Sequence, residues 1–162
     1  MKYEIVNPEA LGSPRGWNNG MLAPEGGRVL FVAGQIGVVG EQEGPPGARG
    51  AGSAVGAQLA AQFQAALANV ARVVEAAGGT VADVGRLTIY VTDMDAYRGS
   101  LAEVGAAYRS VFGKHFPAMA LVAVTELVDT RAVVEVEATA VIPQAQPGGH
   151  PAIDLPTSKE QP

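Results

Sequence analysis

The stretch His115-Phe-Pro-Ala-Met-Ala-Leu-Val-Ala-Val124, "HFPAMALVAV", decides how the rest of the chain is arranged. A histidine, an aromatic and a proline lead into seven apolar residues. Successive side chains of a strand point to opposite faces. A strand over 118–124 is therefore apolar on both sides, the pattern of a strand covered on both sides. Met119 is the first large side chain after the Pro-Ala step, and it either fills a core or lines a site.

The flanking segments say what can do the covering. Before it, Val55, Leu59, Phe63, Leu67, Val70 and Val74 recur at three- and four-residue steps, one face of a helix over Ser53–Ala77. Gly78-Gly79 ends that helix, because glycine takes the left-handed position after the last turn without a Cβ clash. "VGRLTIYVTDM", residues 84–94, alternates as a strand, with Arg86, Thr88, Tyr90 and Thr92 on one face and Leu87, Ile89 and Val91 on the other. Asp95 is a candidate cap for a second helix over about 96–112. After the quoted stretch, "TRAVVEVEATAVI" (130–142) places Ala132, Val134, Val136, Ala138 and Ile142 on an apolar face opposite Arg131, Glu135 and Glu137. Towards the N-terminus, "KYEIV" reads as a strand and "GMLAPEGGRVLFVAGQIGV" (20–38) as a hairpin turning at Pro24–Gly27.

The resulting order, βββ-α-β-α-ββ, is an α/β (α+β) single domain: one mixed sheet with two helices on one face. The other sheet face then carries apolar groups from 118–124 and no helix. An uncovered apolar face marks association, so a closed homo-oligomer is expected. The domain spans 1–142. Residues 143–162, "PQAQPGGHPAIDLPTSKEQP", lack periodicity and read as a flexible tail.

Composition excludes several function classes. The chain has 162 residues, a net charge of −5, three lysines and eight scattered arginines. Nucleic-acid binding needs clustered positive charge, so no nucleic-acid partner is expected. The chain contains no cysteine, which removes disulfides, thiolate nucleophiles and cysteine–zinc sites. The N-terminus has no apolar signal core and no run reaches membrane-spanning length, so no membrane partner and a cytoplasmic location are expected.

Few motifs survive scrutiny. "GAGSAVG" (50–56) lacks the Gly-Lys-Ser/Thr ending of a phosphate loop and follows a glycine-proline loop instead of a strand. His115 and His150 are the only histidines, with no ligand-spaced carboxylate beside His115, so no metal site is expected. His115 reads as a loop residue. Glu135 and Glu137 point the same way, towards the expected interface. A buried carboxylate needs a partner, a proton or solvent. Two readings stand: an intersubunit ion pair with Arg131 or Arg15, or a hydrated rim, against an acid or base that positions water at a subunit cleft. Trp17, the only tryptophan, is a core residue by default and a pocket wall otherwise.

Taken together, "VLFVAGQIGV" (29–38), "ANVARVVEAAGGTVADVGRLTIYVTDM" (68–94), "FPAMALVAV" (116–124) and "VVEVEATAVI" (133–142) resemble, in order, the Rid family, also called YjgF/YER057c/UK114. The resemblance covers about residues 10–142. It implies a chorismate-mutase-like fold and a homotrimer whose sheets pack into a central barrel, with small-molecule clefts between subunits. It also implies hydrolysis of reactive imines and enamines such as 2-aminoacrylate, without metal or organic cofactor. The best-known members carry an arginine after Phe-Pro-Ala that pairs with the substrate carboxylate. Met119 stands there in this chain and cannot donate a hydrogen bond. The missing charge-assisted pair is worth on the order of 1.5–3 kcal/mol. By the same resemblance Glu135 is the water-positioning glutamate and Trp17 matches a pocket tyrosine. Gly34 and Gln35 line the pocket, and Gly105 falls loosely at an active-site asparagine. Arg15 is a candidate substitute for the lost anchor. Three functions follow: hydrolysis of an imine or enamine other than 2-aminoacrylate, non-catalytic binding of a small ligand, and, least supported by the charge, ribonuclease or translation inhibition.

Overall fold

The computed structural model describes residues 2–38 and 53–144. Strands β1 (Glu4–Val6) and β2 (Gly20–Leu22) form a small antiparallel pair. The main sheet contains β3 (Arg28–Ile36), β4 (Val84–Val91), β5 (Ala118–Ala123) and β6 (Val134–Ile142), in the order β3-β6-β4-β5. Strand β6 runs antiparallel to both β3 and β4, and β4 runs parallel to β5. Helices α1 (Ser53–Ala76), α2 (Met94–Gly99) and α3 (Leu101–Phe112) make the crossovers.

The apolar stripe of α1 behaves as its spacing demands. Leu59, Phe63, Leu67, Val70 and Val74 are buried against Val134, Val136, Ala138 and Ile142 of β6 and Leu87 and Val91 of β4. Truncating one such fully buried side chain, Leu67→Ala for instance, costs about 2–5 kcal/mol. Gly78, with φ of 86°, terminates α1. Its N–H donates to Glu75 O (2.9 Å), and that of Gly79 donates to Val74 O (3.0 Å). The helix thus closes with the paired bonds of a glycine C-terminal motif.

The alternation in β6 also holds. Even-numbered residues from 134 to 142 are buried under the helices, while Glu135, Glu137 and Thr139 are half-buried on the opposite face. Phe31, paired with Thr139, lies on that helix-free face and is 80% exposed. Val122, the register partner of Tyr90, is 44% exposed on the same face. The uncovered apolar face inferred from residues 118–124 is therefore present in the single chain.

Two local expectations are corrected. Residues 20–38 do not form a hairpin: β2 pairs with β1 and β3 pairs with β6. Gly26 (φ 76°) does turn the chain, but the longer β6 offers β3 nine residues of partner against three in β2. The second helix is two helices. Its cap is Asp93, whose carboxylate accepts from the Ala96 N–H at 2.8 Å, and exposed Asp95 instead pairs with Arg98 at 3.3 Å. The break falls at Ser100, whose Oγ donates to Ala96 O (2.7 Å) and competes with the backbone ladder. The whole glycine-proline loop (40–52) and residues 145–162 of the tail, His150 among them, lie outside the described residues.

Candidate functional site

Proline fixes the entry to β5. The segment Phe116-Pro117 is anchored by Asn18, whose Nδ2 donates to Phe116 O at 2.6 Å and whose backbone N–H donates to Pro117 O at 3.2 Å. A second anchor comes from α3: buried Tyr108 donates its hydroxyl to His115 O at 2.6 Å and stacks on the Phe116 ring at 5.6 Å. Burial pushes the Tyr108 phenol far above its ordinary pKa, so it stays protonated and keeps donating. His115 Nε2 lies 2.7 Å from the Val84 carbonyl, a fastening role consistent with a loop histidine.

These anchors draw the segment Arg15-Gly16-Trp17 over the edge strand β5. The result is a cleft of about 620 Å³. Met119, Leu121 and Ile89 form its floor, Trp17 and Phe116 one wall, and Tyr97, Leu101, Val104, Gly105 and Arg109 the other. Trp17 is 46% exposed, so it is a pocket wall and not the core residue expected by default. Burial also raises the Tyr97 phenol, which remains a neutral donor at the rim. A volume of this size is ordinary for a small-molecule site.

Glu135 is elsewhere. It stands on the helix-free face of β6, beside Tyr90 in register, where Gly34 makes room for it. A Cβ on Gly34 would overlap the Glu135 carboxyl group. Gly34 has an ordinary φ and sits in the bulge between Val32 and Gln35, so close approach and not backbone strain requires glycine. The bulge puts Gln35 in register with Val136, and its amide donates back to Ala33 O at 3.1 Å. The Tyr90 phenol is raised by desolvation and then by the negative charge of Glu137.

Met119, Trp17, Arg15 and Gly105 therefore meet in one cleft, and Glu135 and Gly34 meet on the other side of the sheet. Among the described residues, Met119 and Glu135 lie on opposite faces of the sheet and line no common cleft. Met119 pairs with Leu87 and Leu87 with Ala138, all facing the helices, and strand parity sends Glu135 the other way. Within the chain Arg131 pairs with Asp129 at 2.7 Å and not with Glu135. That pair lowers the Asp129 carboxyl to about 2, chiefly through the guanidinium hydrogen bonds. Among the described residues, no group of three or more His, Asp and Glu side chains is gathered closely enough to hold a metal ion. No helix among them is long and apolar enough to cross a membrane.

Comparison with known proteins converges on one family. The family model described as Endoribonuclease L-PSP matches residues 9–142. A Rid protein family member from Yersinia pestis superimposes with a TM-score of 0.67 at 30% identity, covering 88% of this chain and 100% of that one. This chain belongs to the Rid family. A member of the YjgF/YER057c/UK114 family from Mycobacterium tuberculosis is 30% identical with a TM-score of 0.54, over 87% of this chain and 100% of that one. The 2-iminobutanoate/2-iminopropanoate deaminase of Escherichia coli K12 is 40% identical over 91 residues, 54% of this chain and 66% of the enzyme. The chain thus spans just under two thirds of the length of the curated deaminases it matches.

The Rid fold, chorismate-mutase-like and mixed α+β, fits the observed sheet and helices. Rid membership leaves one feature of this cleft unaccounted for by the sequence. Arg109 had no motif to mark it, and an exposed helical arginine usually reads as solvated surface. The available signal was its spacing: Gly105 lies four residues earlier, on the same helix face.

Proposed function

We propose that this Rid protein hydrolyses a small organic imine or enamine bulkier than 2-aminoacrylate, as a homotrimer. The cleft around Met119 would bind the substrate, and Glu135 of a neighbouring copy would reach it across the subunit seam. The observation that carries the reading is the Met119 cleft itself: about 620 Å³, walled by Trp17, Leu121 and Leu101, far more apolar space than a three-carbon imino acid fills. The exposed Phe31 and Val29 on the helix-free face support burial against another copy. The 40% identity to an imine deaminase supports the reaction class.

In the proposed reaction, water adds to the C=N carbon as the Glu135 carboxylate accepts its proton. That proton then passes to nitrogen to give a carbinolamine; the carboxylate next takes the hydroxyl proton and delivers it to the same nitrogen as the C–N bond breaks, so that ammonia and a carbonyl compound leave. The Gly34 cradle would hold the carboxyl group in place for both transfers.

The test is ammonia release from imines generated in situ by an amino-acid oxidase, comparing phenylalanine- or leucine-derived imines with the alanine-derived one. Bulky imines should be turned over faster, and Glu135→Gln should abolish turnover without changing the oligomeric mass. Full activity in that variant removes Glu135 from the mechanism. A second reading, non-catalytic binding of a small ligand in the same clefts, is favoured by Met119, which offers no hydrogen-bond donor. Ligands that stabilise the protein and are never consumed would establish it. Ribonuclease activity, which the family description names, sits poorly with a net charge of −5.

A further inference from the structure

The Met119 cleft is apolar over most of its lining, yet two arginines, Arg15 and Arg109, line it. Among the described residues, no carboxylate lines it. The ion pairs among the described residues join Arg98 to Asp95 and Arg131 to Asp129, and neither pair borders the cleft. Two cations beside apolar walls, without an acid, are an arrangement that an entering anion would complete.

The bare backbone of Gly105 leaves room for Arg109. The position a Cβ would take on Gly105 is 3.1 Å from Arg109 Nη1. The guanidinium therefore lies back along α3, over the bare backbone one turn earlier. Helical side chains lean towards the N-terminus, so this pose follows the natural direction of the bond. A larger residue at 105 would contest the space.

We infer that Arg109, assisted by Arg15, is the specificity-determining group of the cleft. It receives the carboxylate of a ligand whose large apolar body packs on Met119, Leu121 and Trp17. A guanidinium fork matches two carboxylate oxygens. The inference deepens the proposed function and rests on its placing of the ligand in the Met119 cleft. It names the substrate class as a carboxylate with a bulky apolar substituent. The charge that Met119 cannot supply from β5 is supplied from α3, on the opposite wall.

The single tryptophan lines the cleft, so its fluorescence reports occupancy. The probes are 3-phenylpropanoate and its neutral counterpart 3-phenylpropanamide, titrated into the full-length protein. The acid should saturate the Trp17 signal with an affinity about ten- to a hundredfold above that of the amide. Arg109→Gln should erase that preference by weakening acid binding far more than amide binding. Arg109→Lys should keep part of it, and Gly105→Val, which crowds the guanidinium, should lower acid affinity with the arginine still present. Equal binding of acid and amide by the wild type, a preference that survives Arg109→Gln, or no saturable response to either probe overturns the inference. Ammonia release is a separate readout. Selective acid binding without turnover of any imine sinks the hydrolase reading alone, and imine turnover with unselective binding sinks this inference alone.

Discussion

Replacing Gln62 with leucine should cost about 1–3 kcal/mol of stability, and the structure says why. Gln62 sits on α1, is 2% exposed and bridges to the chain entering β6. Its Nε2 donates to Arg131 O at 2.9 Å, and its Oε1 accepts from the Val133 N–H at 2.8 Å. Leucine keeps the approximate volume but removes both bonds. Each buried partner left unpaired costs about 1–3 kcal/mol, giving roughly 2–6 kcal/mol for two. Arg131 is exposed, so water can reach its carbonyl and the lower half of the range applies. The added apolar atoms return on the order of 1 kcal/mol. Urea denaturation at fixed protein concentration measures the difference, since assembly makes the midpoint concentration-dependent. The corresponding fall in melting temperature is about 2–12 °C for a chain of this size. A loss below about 0.5 kcal/mol with an unchanged urea dependence would refute the view that this amide fastens the strand that carries Glu135.

Other perturbations test other parts of the molecule. Gly34→Val should displace the Glu135 carboxyl group and lower imine turnover at least about tenfold in a folded protein; unchanged turnover would dismiss the cradle. Phe31→Asp puts a charge at the most exposed part of the helix-free face and should shift sedimentation from trimer towards monomer, whereas a wild type that is already monomeric at micromolar concentration removes the trimer. Asp129 should titrate at about 2 by NMR, against an ordinary 3.8, and Arg131→Gln should raise it only part of the way, because the backbone N–H of residue 131 still donates to the carboxylate. Its folded pKa lies below the unfolded one, so the pair's stabilising contribution is complete above the ordinary value and is lost as pH falls through about 2.

Local chemistry was legible in the sequence wherever one element decides it alone. The stripe from Leu59 to Val74 needed only a helical period, and Gly78 needed only a C-terminal motif. The alternation of β6 located its buried face without reference to a partner. Partner choice was not legible: the turn at Gly26 is real, yet β3 pairs with a strand over a hundred residues away. The break at Ser100 escaped because Tyr97, Leu101 and Val104 keep the apolar spacing straight through it. Met119, Trp17 and Arg15 line one cleft, a grouping that strand and helix periods cannot give, and Arg109 is visible only once α3 is laid against β5.

The separation of Met119 from Glu135 constrains mechanism more than either residue does alone. Strand parity can be counted in β5 and in β6 separately, but the relative facing of the two depends on register through β4. That register pairs Met119 with Leu87 and Leu87 with Ala138, while Glu135 pairs with Tyr90 and Tyr90 with Val122. The two side chains leave the same sheet in opposite directions, and no rotamer change carries one through a hydrogen-bonded backbone to the other. A one-residue slip would reverse β6, but it would also bury Glu135 and Glu137 under α1 without partners, at several kcal/mol each. The apolar face therefore locks the acid away from its own chain's cleft. Chemistry that uses both groups has to draw them from two copies, and the exposed apolar residues surrounding Glu135 are what would hold those copies together.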